Sequence, residues 1–357
     1  MTLEQSWHRV PGGTAIAALG MARALSRREL EVVGVAAFHR RPPDSAWCPP
    51  VPTRQLPLPR FALYESWHAL RLPRIDVATG PVDVIHATTI IIPPKSAPLV
   101  VTIHDLAWVR YPGHFTKRGR RFFDRGLGLA LREADLVLCP SRATLQDCRS
   151  AGFGPERLEV VPFGINAQPV DDEDVRRIRR RYSLDHPYVL WIGTVEPRKN
   201  LRAVLQAFQS IDNGVDLVLA GPRGWNEDLD AMVGRRSARV RPLGFVTRAD
   251  LAPLYAGARV FCWPSLLEGF GFPVLEAMSQ GTPVVTSAGT STEELARDAG
   301  VLVDPSDVAA ITTAVNHLLS DAALARRLGE AGRRRAKEYT WERTGTLVAA
   351  AYARVAA

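Results

Sequence analysis

The chain has 357 residues, 45 Lys and Arg against 37 Asp and Glu for a formal net charge of +8, and 46% apolar and 23% charged residues. At about 150 residues per domain this length predicts two domains, and the composition is that of an ordinary folded protein rather than a disordered one. Cys48, Cys139, Cys148 and Cys262 form no Cys-x-x-Cys pair, no apolar run reaches the roughly 18 residues of a membrane span, and Met1–Gly13 lacks the apolar core of a signal peptide. These features exclude a zinc ribbon and a disulfide framework, and predict a cytoplasmic protein.

In chain order, Pro11-Gly12-Gly13 opens a helix over Thr14–Ser26. A strand should precede it, and only Thr2–Trp7 is available, so the amino end reads as clipped, as a misassigned start codon would leave it. Strands follow at Glu31–Ala37, Val82–His86, Leu99–His104, Leu136–Cys139 and Leu158–Pro162, with helices at Arg120–Glu133 and Arg142–Ser150. The proline-rich, aperiodic stretch Arg41–Pro59 reads as a long surface loop.

After the polar segment Asn166–Asp174 a second set begins, with strands at Tyr188–Gly193, Val215–Ala220, Val240–Leu243, Val260–Trp263, Pro283–Thr286 and Val301–Val303. Short β-branched runs alternating with helical patterns predict an α/β protein of two Rossmann-like, doubly wound parallel-sheet domains, facing each other across a cleft. The boundaries are 1–165 and 166–338, with 339–357 as a terminal helix, amphipathic over Trp341–Val355, that packs back on the first domain.

Several chemistries are excluded by inspection. No glycine is followed by lysine, so there is no Walker-type phosphate loop, and neither His-Glu-x-x-His nor Gly-x-Ser-x-Gly occurs. Gly269-Phe-Gly-Phe-Pro-Val274 starts like a dinucleotide fingerprint but has Val274 at the third glycine position. The arginines form no stripe with interleaved aromatics beyond one short segment, so nucleic acid is not an expected partner.

The densest chemical signal is Glu268-Gly-Phe-Gly-Phe-Pro-Val-Leu-Glu276, two carboxylates across a glycine loop that enters a helix. Gly269 and Gly271 let backbone N–H groups approach a ligand, Pro273 suits a first helical turn, and a helix amino end attracts anions. Glu276 then falls in the first turn, where it can accept two ribose hydroxyl protons, with Glu268 nearer the reactive end. The plainer reading is a helix-dipole partner and a solvated loop residue.

Gly193-Thr-Val-Glu-Pro-Arg198-Lys199-Asn200 likewise lies between a strand and a helix, Leu201–Gln209. Lys199 is one of only four lysines, beside Lys95, Lys117 and Lys337. Arg198 offers a planar fork and Lys199 a point charge, suited to a diphosphate whose charge grows as a bond to it breaks. Cations at a helix amino end are unfavourable without an anion to answer them. Gly12 and Gly13 can bring backbone amides to the same phosphates, and His104 follows its strand toward the same cleft. A buried structural histidine is an equal reading for His104, and His86 ranks below it.

These residues resemble the large family of retaining glycosyltransferases with the two-domain GT-B architecture, which includes bacterial mannosyltransferases and sucrose synthase. The resemblance covers nearly the whole chain and is strongest over Tyr188–Val303. There Glu-Pro-Arg-Lys-Asn, Ala-Gly-Pro (220–222), Leu-Gly-Phe-Val (243–246) and the Glu-x7-Glu motif stand in family order, preceded by Pro-Gly-Gly, Val-Thr-Ile-His-Asp (101–105) and Val-Pro-Phe-Gly-Ile-Asn (161–166). It implies an acceptor domain followed by a nucleotide-sugar donor domain. Arg198 and Lys199 would bind the donor diphosphate, Glu276 the ribose, Glu268 the donor sugar, and Gly12 and Gly13 the phosphates. The backbone at Phe245 and Val246 would meet the nucleobase, Gly269, Phe270, Gly271 and Phe272 the sugar hydroxyls, and His104 the reacting sugar. Many relatives have Gly-Arg where this chain has Gly193-Thr194, which would shift more of the phosphate role to Arg198.

The family implies transfer with retention of anomeric configuration and without a metal or other cofactor. The expected reaction moves a hexose, mannose favoured by the Glu-Pro-Arg-Lys-Asn likeness, from a GDP- or UDP-sugar to a glycan or lipid-linked acceptor. Both glutamates are committed to donor contacts, so the acceptor attacks on the face the leaving group departs from, with a phosphate oxygen as base. Other readings on the same architecture are a nucleotide-sugar epimerase, a phosphorylase or a non-catalytic nucleotide-sugar-binding module. Tyr111–Arg125 mixes Lys117, Arg118, Arg120, Arg121 and Arg125 with Phe115, Phe122 and Phe123, either as a surface for an anionic membrane or as a solvated helix with its aromatic face in the core.

Overall fold

A computed structural model describes residues 1–8, 11–211, 214–222, 224, 229–234 and 239–357. The chain divides into two units, Met1–Gly164 with Tyr339–Ala357, and Ile165–Glu338. No single helix among the described residues is long and apolar enough to cross a membrane.

In the first unit, strands β1 (Gly34–Ala36) and β2 (Thr53–Gln55) pair in parallel. Strands β3 (Ile85–Ala87), β4 (Leu99–Thr102), β5 (Leu136–Cys139) and β6 (Leu158–Val160) form a parallel sheet in chain order. Every residue of β4 and β5 is buried, as uninterrupted apolar runs in a sheet covered on both faces should be. Two expectations are corrected here. The stretch Arg41–Pro59 is not all loop, because β2 lies within it against β1. Thr2–Trp7 does not form a strand: Thr2 makes one parallel bridge to Val35, and Glu4–Trp7 turns into a 3-10 helix. The buried Glu4 carboxylate draws the segment inward, accepting from the Ala37 amide at 2.8 Å and meeting His39 Nε2 at 2.8 Å.

The terminal helix Trp341–Ala356 lies on the first long helix, Gly13–Leu25, within this unit. A Cβ at Gly20 would stand 2.3 Å from the Trp341 indole, so the approach requires glycine. Tyr352 then reaches His86, its hydroxyl 2.7 Å from Nδ1, while Thr102 Oγ1 lies 2.7 Å from Nε2. The helix Arg60–Ala69, not foreseen from sequence, brings Leu63 and Trp67 into the core.

The second unit holds β7 (Tyr188–Ile192), β8 (Asp216–Ala220), β9 (Val240–Gly244), β10 (Val260–Trp263), β11 (Val284–Ser287) and β12 (Val301–Val303). They form a parallel sheet in the order β12-β11-β10-β7-β8-β9. The chain runs outward from β7 through β8 to β9 and then restarts at β10 on the other side of β7, with Val260 opposite Val189. In an open α/β sheet such a reversal leaves a crevice beyond the carboxyl ends of the two central strands, because their connections leave in opposite directions. The segments that follow β7 and β10 are therefore neighbours, and they are the two segments that carry the charge.

Candidate functional site

After β7 the chain makes one 3-10 turn, Pro197–Lys199, and starts the helix Leu201–Ala207. Asn200 joins them in the left-handed region at φ 56°, a conformation asparagine tolerates better than most residues. Its side-chain amide donates to the carbonyls of Pro264 at 2.9 Å and Pro305 at 2.7 Å, pinning the turn to the loop after β10. The cations therefore sit in a constrained turn rather than on a swinging loop.

Lys199 Nζ lies 2.5 Å from Glu268 Oε1 and 4.6 Å from the centre of the Trp263 ring. Arg198 spans two carboxylates, Nη2 to Glu196 Oε1 at 2.7 Å and Nη1 to Glu268 Oε2 at 3.3 Å, and Nη1 also donates to the Leu267 carbonyl at 3.3 Å. Ser265 Oγ is 2.7 Å from Glu268 Oε1, and Ser291 Oγ donates to the Glu268 carbonyl at 2.7 Å. Glu268 is only 8% exposed, so it is not a solvated loop residue. Burial pulls the Lys199 pKa below its ordinary value, with Arg198 adding to the effect and Glu268 and Glu196 opposing it.

The loop from Glu268 enters the helix Phe272–Ser279 through Gly271 at φ 108°, with Pro273 in its first turn. A Cβ on Gly271 would stand 2.8 Å from Thr292 Cγ2, so both the backbone and the space call for glycine. Gly269 is buried, and the buried rings of Phe270 and Phe272 pack edge to face at 5.0 Å. Glu276 is not in the first turn as expected: the helix begins at Phe272, which makes Glu276 its fifth residue. There Oε2 accepts from the Tyr255 hydroxyl at 3.1 Å, and burial raises the carboxyl pKa despite that bond and the nearby Arg248 charge. Phe245 is 69% exposed just past the end of β9, and Val246 beside it is buried.

The other residues singled out from sequence belong to the first unit. Gly12 and Gly13 are exposed at the amino end of the helix Gly13–Leu25, with Gly12 as its cap. His104 follows β4, and its Nε2 lies 2.9 Å from the Thr88 carbonyl. A carbonyl only accepts, so this nitrogen carries the proton. The ring lies 5.6 Å from that of Phe163, and burial lowers its pKa although the Thr88 bond and Asp105 act the other way. His86 is fully enclosed, and burial drives it down to about 3.

Glu196, Ser265, Asn200 and Tyr255 were not singled out from sequence, yet Glu196, Ser265 and Tyr255 each contact a charged residue of the site and Asn200 ties its turn to the loop after β10. Glu196 stood within the recognised segment, and its acidic side chain beside two cations was the one available signal. Among the described residues no group of three or more His, Cys, Asp or Glu side chains is arranged to hold a metal ion.

Residues 11–169 match the family described as Glycosyltransferase Family 4, and residues 174–335 match Glycosyl transferases group 1. O-antigen chain mannosyltransferase B of Escherichia coli is 34% identical over 280 residues, covering 75% of this chain and 74% of that protein. MMP alpha-(1->4)-mannosyltransferase of Mycolicibacterium hassiacum is 32% identical over 286 residues, covering 73% of this chain and 67% of the relative. Among solved structures, Anabaena HepE in complex with UDP and glucose superposes with a TM-score of 0.77 at 20% identity over 98% of each chain. That likeness carries the fold, GT-B. Two matched halves, relatives that share a third of their residues and a common architecture place this chain in the group 1 glycosyltransferase family.

Proposed function

We propose that this glycosyltransferase moves a hexose, mannose favoured, from a GDP- or UDP-sugar to a glycan or lipid-linked acceptor, with retention of configuration and without a metal. The observation that carries the reading is the meeting of Arg198, Lys199 and Glu268 at the strand reversal. The departing diphosphate takes the electron pair of its bond to the sugar, and the two cations offer fixed positive charge where that negative charge grows. They do what a metal would otherwise do. Mannose is favoured because the relatives at 34% and 32% identity are named as mannosyltransferases.

Glu268 already engages Lys199, Arg198 and Ser265, and a carboxylate with three donors on it is a poor nucleophile. This favours acceptor attack on the face the diphosphate leaves, with a phosphate oxygen taking the acceptor proton, over a covalent glycosyl-enzyme. Glu276 would bind the ribose, the glycine loop the sugar hydroxyls, and the backbone at Phe245 and Val246 the base. Gly12 and Gly13 would supply amides to the phosphates, and the His104 ring would lie beside the reacting sugar.

A panel of GDP- and UDP-hexoses, scored by thermal stabilisation and by release of nucleoside diphosphate, identifies the donor, because a ligand of the native state raises its stability by mass action. Proton NMR of the product reads the anomeric configuration. The proposal fails if no nucleotide sugar stabilises the protein, or if Lys199→Ala and Glu276→Ala both keep full turnover of the correct donor.

The free thiols fit a cytoplasmic setting, and the helix Lys117–Glu133 favours the inner face of the membrane. Phe115 and Phe123 pack into the core and Phe122 stacks on His68 at 4.5 Å, so the aromatics of this segment face inward. Lys117, Arg118, Arg120 and Arg121 remain exposed, with no ion-pair partner among the described residues. They lie at the amino end of their helix, where the dipole disfavours cations, and an anionic lipid surface would answer them. Sedimentation with phosphatidylglycerol vesicles that survives reversal of all four charges would remove this contact.

A further inference from the structure

We infer that Glu196 aims Arg198 at the diphosphate and, by balancing the site's charge, sets how readily the spent nucleoside diphosphate leaves. This rests on the reading of Arg198 and Lys199 as diphosphate ligands. Glu196 is 3% exposed, stands in extended backbone at φ −144° directly before the 3-10 turn, and holds one edge of the Arg198 guanidinium at 2.7 Å. The other edge points to Glu268 and the Leu267 carbonyl. A planar fork held at both Nη atoms has its orientation fixed, and Glu196 supplies the shorter of the two carboxylate contacts.

The charges add a second role. Two cations, Arg198 and Lys199, share the site with two carboxylates, Glu196 and Glu268, so the formal sum is zero. The donor sugar gives Glu268 a task of its own. Glu196 has no such task, and keeping a buried carboxylate beside an anion-binding cation weakens anion binding. The product gains most from that weakening. As the bond breaks, the diphosphate oxygen keeps the electron pair, and once the proton it took from the acceptor has passed to solvent, the nucleoside diphosphate carries one negative charge more than the diphosphate of the donor. Without a balancing carboxylate the pair of cations would hold the product more tightly than the donor.

Glu196→Gln keeps the shape and the acceptor oxygen and removes one negative charge. Calorimetric titration of the full chain with GDP, and separately with UDP, is expected to show the binding nucleotide held at least about tenfold more tightly, the scale of one charge about 12 Å away or nearer at an effective dielectric of about 20. Turnover should fall as release slows, with a lower KM for the donor. Glu196→Asp keeps the charge but shortens the reach, so nucleotide affinity should not rise while kcat drops from the misaimed guanidinium. Equal or weaker nucleotide binding by Glu196→Gln, or wild-type kcat in Glu196→Asp, overturns the inference. Lys199→Ala separates the two levels. If it leaves GDP and UDP binding unchanged, the reading of the site is wrong. If it weakens binding but Glu196→Gln does not tighten it, only the role of Glu196 is lost.

Discussion

The Lys199–Glu268 pair should behave as a coupled unit in the free enzyme, and a double-mutant cycle measures it. The two side chains are 13% and 8% exposed with charged atoms 2.5 Å apart, so solvent screens them little. Breaking one partner of a buried pair typically costs about 3–5 kcal/mol. Glu268→Gln falls at or below the low end, about 2–3 kcal/mol, because the amide oxygen still accepts from Ser265 or Lys199 and Arg198 keeps Glu196. For a unit of this size the melting temperature should drop by about 4–12 °C. Lys199→Met strands Glu268 instead, and costs less because Arg198 and Ser265 remain on it. The double variant removes both charges and lays an apolar chain on Trp263, so its loss should be smaller than the sum of the singles by about 2 kcal/mol. Scanning calorimetry of the four proteins reads the coupling. A pH series adds a second signature. The Lys199 pKa is already lowered by burial, and losing Glu268 lowers it further, so the unfolded chain binds the extra proton over a wider range below 10.5. Stability rises with pH wherever the unfolded state holds more protons, so the Glu268→Gln deficit should shrink as pH climbs toward that value. Additive single losses with a pH-independent deficit would refute the pairing.

Burial holds His86 at about 3 and His68 at about 4 against an ordinary 6.5. Their contribution is whole above pH 6.5 and is lost as pH falls toward those values, at about 1.4 kcal/mol per pH unit for each histidine; calorimetry at pH 7, 5.5 and 4.5 should show a steep decline that His86→Gln flattens. Gly271→Ala must hold an L side chain at φ 108° and displace Thr292, so it should cost about 1–3 kcal/mol and lower kcat/KM for the donor more than tenfold, read by melting and steady-state kinetics. Gly20→Val drives a side chain into the Trp341 indole and should cost about 2–3 kcal/mol, partly restored by Trp341→Leu; a melt unchanged by Gly20→Val would disprove the tight helix crossing.

Much of the second unit was legible because its strands announce themselves. Tyr188-Val-Leu-Trp-Ile192 and Val260-Phe-Cys-Trp263 are buried at every position, and each ends in a turn of small and polar residues. The neighbourhood of β7 and β10 was not legible, because strand order depends on which face each crossover helix covers. In the first unit, Thr53-Arg-Gln55 is a strand of three polar or half-exposed residues, held by pairing with β1 rather than by any pattern of its own. Arg60–Ala69 shows only Leu63 and Trp67 as apolar anchors facing the core, a pair four apart with no second turn to repeat it. The sequence puts Glu276 one residue too early, in the first turn, because Pro273 marks the start of a helix without saying which of its first positions it fills.

Lysine is scarce in this chain, and geometry gives a reason for the one at position 199. Nearly every other cation in the chain is arginine, which suits exposed surfaces and forked pairing. At position 199 the head group must fit between the face of Trp263 and one oxygen of Glu268, in a turn closed by Asn200. A compact ammonium meets a ring face and a single oxygen at once, whereas a guanidinium plane stacked on the indole would turn its N–H groups away from Glu268. The Arg198 guanidinium is held at both Nη atoms, by Glu196 on one side and by Glu268 and the Leu267 carbonyl on the other, whereas Lys199 rests on a single carboxylate oxygen and a ring face.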